Sequence, residues 1–314
     1  MSTACDLRRV VAEADCEIAH YESILVKIRE KRRNAQLQLD SIVFPISSLP
    51  PEITSEIFIL CLPTSSLDRQ WNSVNAHEAP MVLSHVCRTW RAIAISTPTL
   101  WAQIDLEMHD DHSLDVFKTW VGRSRAHPLS LKFHGWTGKD APAVFETFAC
   151  CSEWNPWNFP LLQKLSLSHS WKEWWEEGAT IETFVNTPFL RVVSLGAVSP
   201  SSLALPWQQL TAFTGTGLTI PECLEVLKLS PNLVECAFAA SDEMETCPLV
   251  THSNLQSLTL FRRSVSNDDD YRDAVSSTIV LRLLTLSALQ TLRILDCVYD
   301  DFEEVDFSAF LERS

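Results

Sequence analysis

Apolar and polar positions recur with a helical period at the start of the chain. Leu7, Val11, Ala14, Ile18, Tyr21, Leu25, Ile28, Arg32, Ala35 and Leu39 are spaced alternately by four and three, so nine of ten positions on one stripe are apolar or small. No Gly or Pro interrupts the segment, and Arg8, Arg9, Glu13, Glu17, Glu22, Lys27 and Arg29 lie off the stripe, as a solvated outer face requires. The spacing predicts one long helix ending before Pro45. Two roles are open to it: a self-associating coiled coil through residues 7–39, or an amphipathic helix folded back on its own domain. Ala14, Ala35 and Arg32 on the stripe weaken a parallel dimer seam.

The pattern changes at residue 46. Pro50 and Pro51 set up a helix start, Glu52 falls in the first turn where a carboxylate suits the helix dipole, and Ile53, Ile57, Leu60 and Cys61 recur at helical spacing until Pro63. A polar stretch runs to Glu78. A second helix is expected from about Pro80 to Ser96, stopped by Pro98, with Val82, Val86, Trp90, Ile93 and Ala94 on its apolar face. Two short helices of this kind must pack on each other, on the following Leu100, Trp101, Ile104 and Leu106, or on a partner.

Beyond residue 106 a loose repeat takes over. FPLLQKLSL, TPFLRVVSL, SPNLVECAF, HSNLQSLTL and LSALQTLRI share a small residue or Pro, then Leu, then two apolar positions one residue apart; WQQLTAF is a degenerate copy and HPLSLKF reads as an earlier strand. Leu162, Leu190, Leu210, Leu233, Leu255 and Leu289 lie 28, 20, 23, 22 and 34 residues apart, intervals that fit irregular leucine-rich repeats. In L-x-x-L-x-L, alternate residues of a short strand enter the core while a helix or loop packs behind, each unit covering the next. The expected body is therefore an irregular leucine-rich-repeat-like α/β solenoid; an irregular α/β domain of similar pattern is the alternative. The Asn that usually follows the strand is missing, which leaves repeat number and curvature open. The final FSAFLERS reads as the helix half of a repeat, either a closing cap or a truncation.

Composition narrows the function classes. The 314 residues carry 25 Lys and Arg against 40 Asp and Glu, a net charge of −15 that repels a phosphate backbone and points to protein partners rather than nucleic acid. Residues 1–45 are balanced, with seven basic and seven acidic side chains, so the whole deficit lies beyond them. Only seven glycines occur, and none forms a phosphate cradle or a nucleophile elbow, so no cofactor is expected. The ten cysteines include no C-x-x-C pair, and charges sit where a signal peptide needs an apolar run; the expectation is reduced thiols in an intracellular protein, cytoplasmic or nuclear. No apolar stretch approaches a membrane span, the best candidate, 278–289, being interrupted by Arg282.

Candidate chemistry is sparse. His109 and His112 flank Asp110 and Asp111, an i, i+3 pair with metal-ligand spacing, but HDDHS reads as an exposed turn, so no metal is expected. Adjacent Cys150 and Cys151 are expected to stay reduced. With no nucleophile motif, the chain reads as a non-catalytic protein, and a hydrolase with a cryptic site is disfavoured. Trp154, Trp157, Trp171, Trp174 and Trp175, interspersed with Glu173, Glu176 and Glu177, are the first guess for a substrate-contacting surface, since Trp is enriched at binding hot spots; packing over the repeat backs is the alternative. Asp268 to Asp270 and Asp300 to Glu304 are acidic runs that would steer a basic region or simply be solvated.

LPPEIxxEIF followed by VCRxWRxIAxSTPxLW, over residues 46–106, resembles the F-box, in the form found in fungal F-box proteins. Each element alone is ordinary folding chemistry; in this order and combination they are specific. The resemblance implies three parts: a coiled-coil-like helix over 1–45, an F-box-like helical module over 46–106, and a leucine-rich-repeat-like substrate-binding region over 107–314. It further implies docking on the Skp-type adaptor of a cullin-RING (SCF) ubiquitin ligase, with Leu49, Pro50, Pro51, Glu52, Ile53, Ile57 and Phe58 at adaptor-facing positions. Val86, Cys87 and Trp90 would continue or support that surface. Residues 63–78 make a longer insert than the shortest F-boxes carry. The chain would then be a substrate receptor whose partner subunits transfer ubiquitin to an unknown protein; a ligase-independent repeat scaffold is the competing class.

Overall fold

A computed structural model describes residues 3–41, 48–63, 75–107, 112–135, 159–168, 180–241, 247–261, 277–295 and 304–314. The chain divides into two compact units, Met1–Glu56 and Ile57–Ser314. Seven α-helices and one eight-stranded parallel sheet among the described residues make it a mixed α/β protein with no closed barrel.

The first unit is dominated by α1 (Ala4–Asp40), 37 residues long, with no buried residue. Its start is fixed by a capping box: the Thr3 backbone N–H and hydroxyl both donate to Asp6 Oδ2, at 3.1 and 2.6 Å. Those bonds favour the charged carboxylate and hold Asp6 below its ordinary pKa. The unit boundary falls inside the next helix, α2 (Pro51–Leu60), whose N-terminal Pro and Glu52 were legible as a start.

In the second unit, the helix expected over 80–96 is two helices, α3 (Met81–Val86) and α4 (Arg88–Ser96). Cys87 breaks them with an extended backbone, φ −155° and ψ 172°, and its Sγ accepts the Trp90 N–H at 3.4 Å as an N-cap. Arg91 Nε donates to Ser84 O at 2.8 Å across the break. The apolar spacing runs unbroken through this point, so periodicity alone merged the two.

The sheet runs β1 (Gln103–Glu107), β2 (Leu129–His134), β3 (Leu162–Ser168), β4 (Val192–Gly196), β5 (Ala212–Thr219), β6 (Glu235–Ser241), β8 (Ser257–Phe261) and β10 (Thr291–Leu295). Every neighbouring pair is parallel, and spatial order follows chain order. Two very short strands, β7 (Val250–Thr251) and β9 (Leu284–Thr285), pair parallel as a separate ladder, and Ile181 and Leu203 form an isolated parallel bridge.

Register explains why the motif repeats. One inward row reads Ile104, Leu131, Leu165, Val193, Phe213, Cys236, Leu258 and Leu292; the next reads Leu106, Phe133, Leu167, Leu195, Gly215, Phe238, Leu260 and Ile294. The third position, just before each strand or at its start, holds Leu162, Leu190, Leu210, Leu233 and Leu255, all completely buried. Gly215 is the exception in its row. Gly217, at φ +66°, sits in a bulge of β5, and Leu218 Cδ1 comes within 2.7 Å of where a Gly215 Cβ would stand. Leu218 thus refills the vacant inward position from three residues further along the same strand.

Helices and turns close the core. α5 (His112–Ser124) lays Trp120 edge-on to Trp101, with ring centroids 5.0 Å apart, and Phe117 against Phe133 and Phe159. α6 (Ile220–Leu229) starts with a Thr219/Glu222 capping box and buries Ile220, Cys223, Leu224, Val226 and Leu227. α7 (Glu304–Arg313) buries Phe310 and donates from Arg313 Nη2 to the carbonyls of Leu281 and Arg282, at 3.2 and 3.1 Å.

Candidate protein-binding surfaces

The side chains carrying the F-box resemblance divide by exposure. Leu49, Ile53, Ile57 and Leu60 are exposed apolar residues, Leu60 by 84%, and Pro50, Pro51 and Glu52 are also exposed. Helical geometry puts Ile53, Ile57 and Leu60 on one stripe of α2. Thr54 keeps the first turn tight, its hydroxyl donating to Pro50 O at 3.2 Å.

Phe58 is different. It is 1% exposed and packs with a tilted ring, centroids 4.9 Å apart, against half-buried Trp90 of α4, so it serves the interior rather than an outer face. The F-box resemblance placed it with the adaptor-facing residues; one helical step of about 100° from exposed Ile57 turns it inward. On α3, Val82 and Val86 are exposed, as is Cys87 at the break. Ala94 is fully buried and accepts the Trp101 indole N–H at 2.8 Å, which ties α4 to the start of the sheet.

The outer face of the sheet is the second surface. Its central row reads Asp105, Lys132, Ser166, Ser194, Thr214, Ala237, Thr259 and Arg293, small and hydroxyl-bearing between charged ends. At the β1 end Asp105 is only 4% exposed and is held between Lys132 Nζ, 2.8 Å from Oδ2, and His134 Nε2, 2.9 Å from Oδ1. This cluster escaped sequence reasoning, since Asp105 and the alternate positions Lys132 and His134 lie on two strands separated in the chain and come together only through the register of β1 and β2.

A third feature was also missed. Asn254 Nδ2 donates to Pro231 O at 2.8 Å, and Asn232 Nδ2 donates to Gln208 O at 2.7 Å. Both amides occupy the position just before the buried repeat leucine, and each reaches the carbonyl two residues before the corresponding leucine of the preceding unit. Gln209, at the same offset before Leu210, donates to the carbonyls of Thr187 and Leu190. The amide thus lies before the strand in this chain, where a search after the strand finds none.

Trp154, Trp157, Trp171, Trp174 and Trp175 lie outside the described residues, as do His109, Asp110, Asp111, Cys150 and Cys151; His112 opens α5. Two open grooves of 510 and 630 Å³ share Pro206 and Gln209 and are otherwise lined by residues such as Thr187, Pro188, Trp207 and Asn232. Among the described residues no group of three or more His, Cys, Asp or Glu is placed to hold a metal, and no helix is long and apolar enough to cross a membrane. Burial and the neighbouring Cys223 push the Cys236 thiol well above its ordinary pKa.

Compared with protein-family models and with curated proteins, the chain gives no match.

Proposed function

We propose that the chain is a non-catalytic substrate receptor of a Skp-cullin-RING ubiquitin ligase. In this reading the F-box-like module of residues 46–106 docks on the Skp-type adaptor, and the body beyond it, a leucine-rich-repeat solenoid, holds a protein substrate. The observation that carries it is α2: the residues that bear the resemblance, Leu49, Ile53 and Ile57, are apolar and exposed, on a helix whose Pro50–Pro51 start is rigid. Exposed apolar side chains at successive turns of one helix call for a covering partner, and a proline-fixed start lowers the ordering cost of binding.

The body supports the reading through its parallel, chain-ordered strands and the hydrogen bonds that Asn side-chain amides donate to the preceding unit, both of which suit a stack of repeats. Its outer face, short hydroxyl side chains between charged ends, offers room for a partner's larger side chains. Ubiquitin transfer would be carried out by other subunits, the receptor contributing proximity. A ligase-independent scaffold is the second reading, favoured by the exposed apolar stripe of α1.

Co-expression of the full chain with a Skp-type adaptor, followed by size-exclusion chromatography, tests the proposal. The wild type is expected to co-elute with the adaptor, and a Leu49→Ala, Ile53→Asp, Ile57→Asp variant with unchanged circular dichroism is expected to elute alone. A folded wild-type chain that elutes apart from the adaptor would leave the scaffold reading.

A further inference from the structure

α1 carries an apolar stripe exposed along its whole length. None of its 37 residues is buried, and Leu7, Val11, Ile18, Tyr21, Leu25, Ile28 and Leu39 are each 48% to 61% exposed. The charges on the same helix are segregated along its length. Residues 13–22 hold Glu13, Asp15, Glu17 and Glu22 with no Lys or Arg, whereas residues 27–33 hold Lys27, Arg29, Lys31, Arg32 and Arg33 against Glu30 alone.

That segregation decides how two copies can pair. Parallel and in register, acidic halves face each other and so do basic halves, and at the seam edge Glu17 meets Glu22 of the second copy in the heptad pairing of flanking positions. Antiparallel, with Ile18 opposite Ile28 of the second copy, each acidic half faces a basic half. Leu25 then meets Tyr21, Leu39 meets Leu7, and Arg32 falls on Ala14, where the small side chain leaves room for its stem. The flanking pairs become Glu17 with Lys31 and Asp15 with Arg29, each made twice, while Glu22 meets its own copy once at the two-fold axis. A stripe ~55 Å long and ~10 Å wide on each helix covers ~1,100 Å² in total. That passes the roughly 1,000 Å² a specific interface needs.

We propose that α1 forms an antiparallel two-stranded coiled coil with a second copy of this chain. The proposal stands apart from the ligase reading, because it uses only the stripe and charge order of α1.

Sedimentation velocity of the full chain across a concentration series tests it, with circular dichroism as the folding control. The wild type is expected to show a reversible monomer–dimer equilibrium. Glu17→Lys is expected to weaken dimerisation by roughly tenfold, since both Glu17–Lys31 pairs become like-charge contacts. A parallel pair would instead tighten, because the introduced charge would meet Glu22. The exchange Glu17→Lys with Lys31→Glu is expected to restore affinity to within about twofold of wild type. A chain monomeric at every concentration, a dimer unmoved by these substitutions, or one tightened by Glu17→Lys overturns the proposal.

Discussion

Gly215 occupies the one glycine position of an inward row that otherwise holds Leu106, Phe133, Leu167, Leu195, Phe238, Leu260 and Ile294. Restoring the repeat pattern by Gly215→Leu would count as a stabilising correction if pattern alone governed. The packing gives the opposite sign. A Cβ there stands 2.7 Å from Leu218 Cδ1, 3.0 Å from Phe213 Cε1 and 3.3 Å from Phe238 Cδ1, before three further carbons are added. Leu218 is the flexible neighbour and could turn away, but the two rings are buried and tilted against each other with centroids 6.0 Å apart, so the longer side chain meets them directly. Overpacking of this kind costs ~1–3 kcal/mol. For a body of this size each kcal/mol lowers Tm by about 2–4 °C, giving an expected fall of roughly 2–12 °C by differential scanning calorimetry. Leu218→Ala alone is expected to cost ~2–5 kcal/mol. The double variant should be less destabilised than the two singles summed, because removing the Leu218 methyls vacates the space the new side chain needs. A higher Tm for Gly215→Leu, or strict additivity with Leu218→Ala, would refute the account of the bulge.

Three further outcomes are expected. Asn232→Ala and Asn254→Ala should each lower stability by about 1 kcal/mol, the worth of one partly exposed bond between units, measured by urea unfolding; unchanged midpoints would remove the amides from the repeat account. In native protein at pH 8, maleimide followed by peptide mass spectrometry should label the exposed Cys5, Cys16, Cys61 and Cys87 and spare the buried Cys223 and Cys236, burial also keeping the Cys236 thiol neutral; fast native labelling of Cys236 would contradict its packing. The Asp6 carboxylate is held below its ordinary pKa, so its contribution to the α1 start is complete above the unfolded value and is lost as pH falls through the lowered folded one. Acidification should therefore reduce helicity by circular dichroism more in wild type than in Asp6→Asn, and equal losses would set the capping box aside.

The strands were legible because their signal is periodic and redundant. Each copy of the motif lies on a strand of the sheet, including the degenerate WQQLTAF on β5, and the earlier HPLSLKF lies on β2. What escaped depends on single side chains overriding a pattern. Cys87 splits an apolar run that stays helical in spacing, because an extended backbone and one sulfur acceptor are invisible to periodicity. Phe58 turns inward although its neighbour Ile57 does not, a matter of helix rotation that the motif as a string does not encode. Asp105, Lys132 and His134 meet only once the register of β1 and β2 is known. The long stripe of α1 was plain, because its apolar spacing persists over the whole helix.

Hydrogen–deuterium exchange of the full chain with and without a Skp-type adaptor tests the receptor account most directly. The account predicts slowed exchange over α2 (Pro51–Leu60) on adding the adaptor, with the strands β3 to β10 unchanged. An unprotected α2 in the presence of saturating adaptor would contradict it.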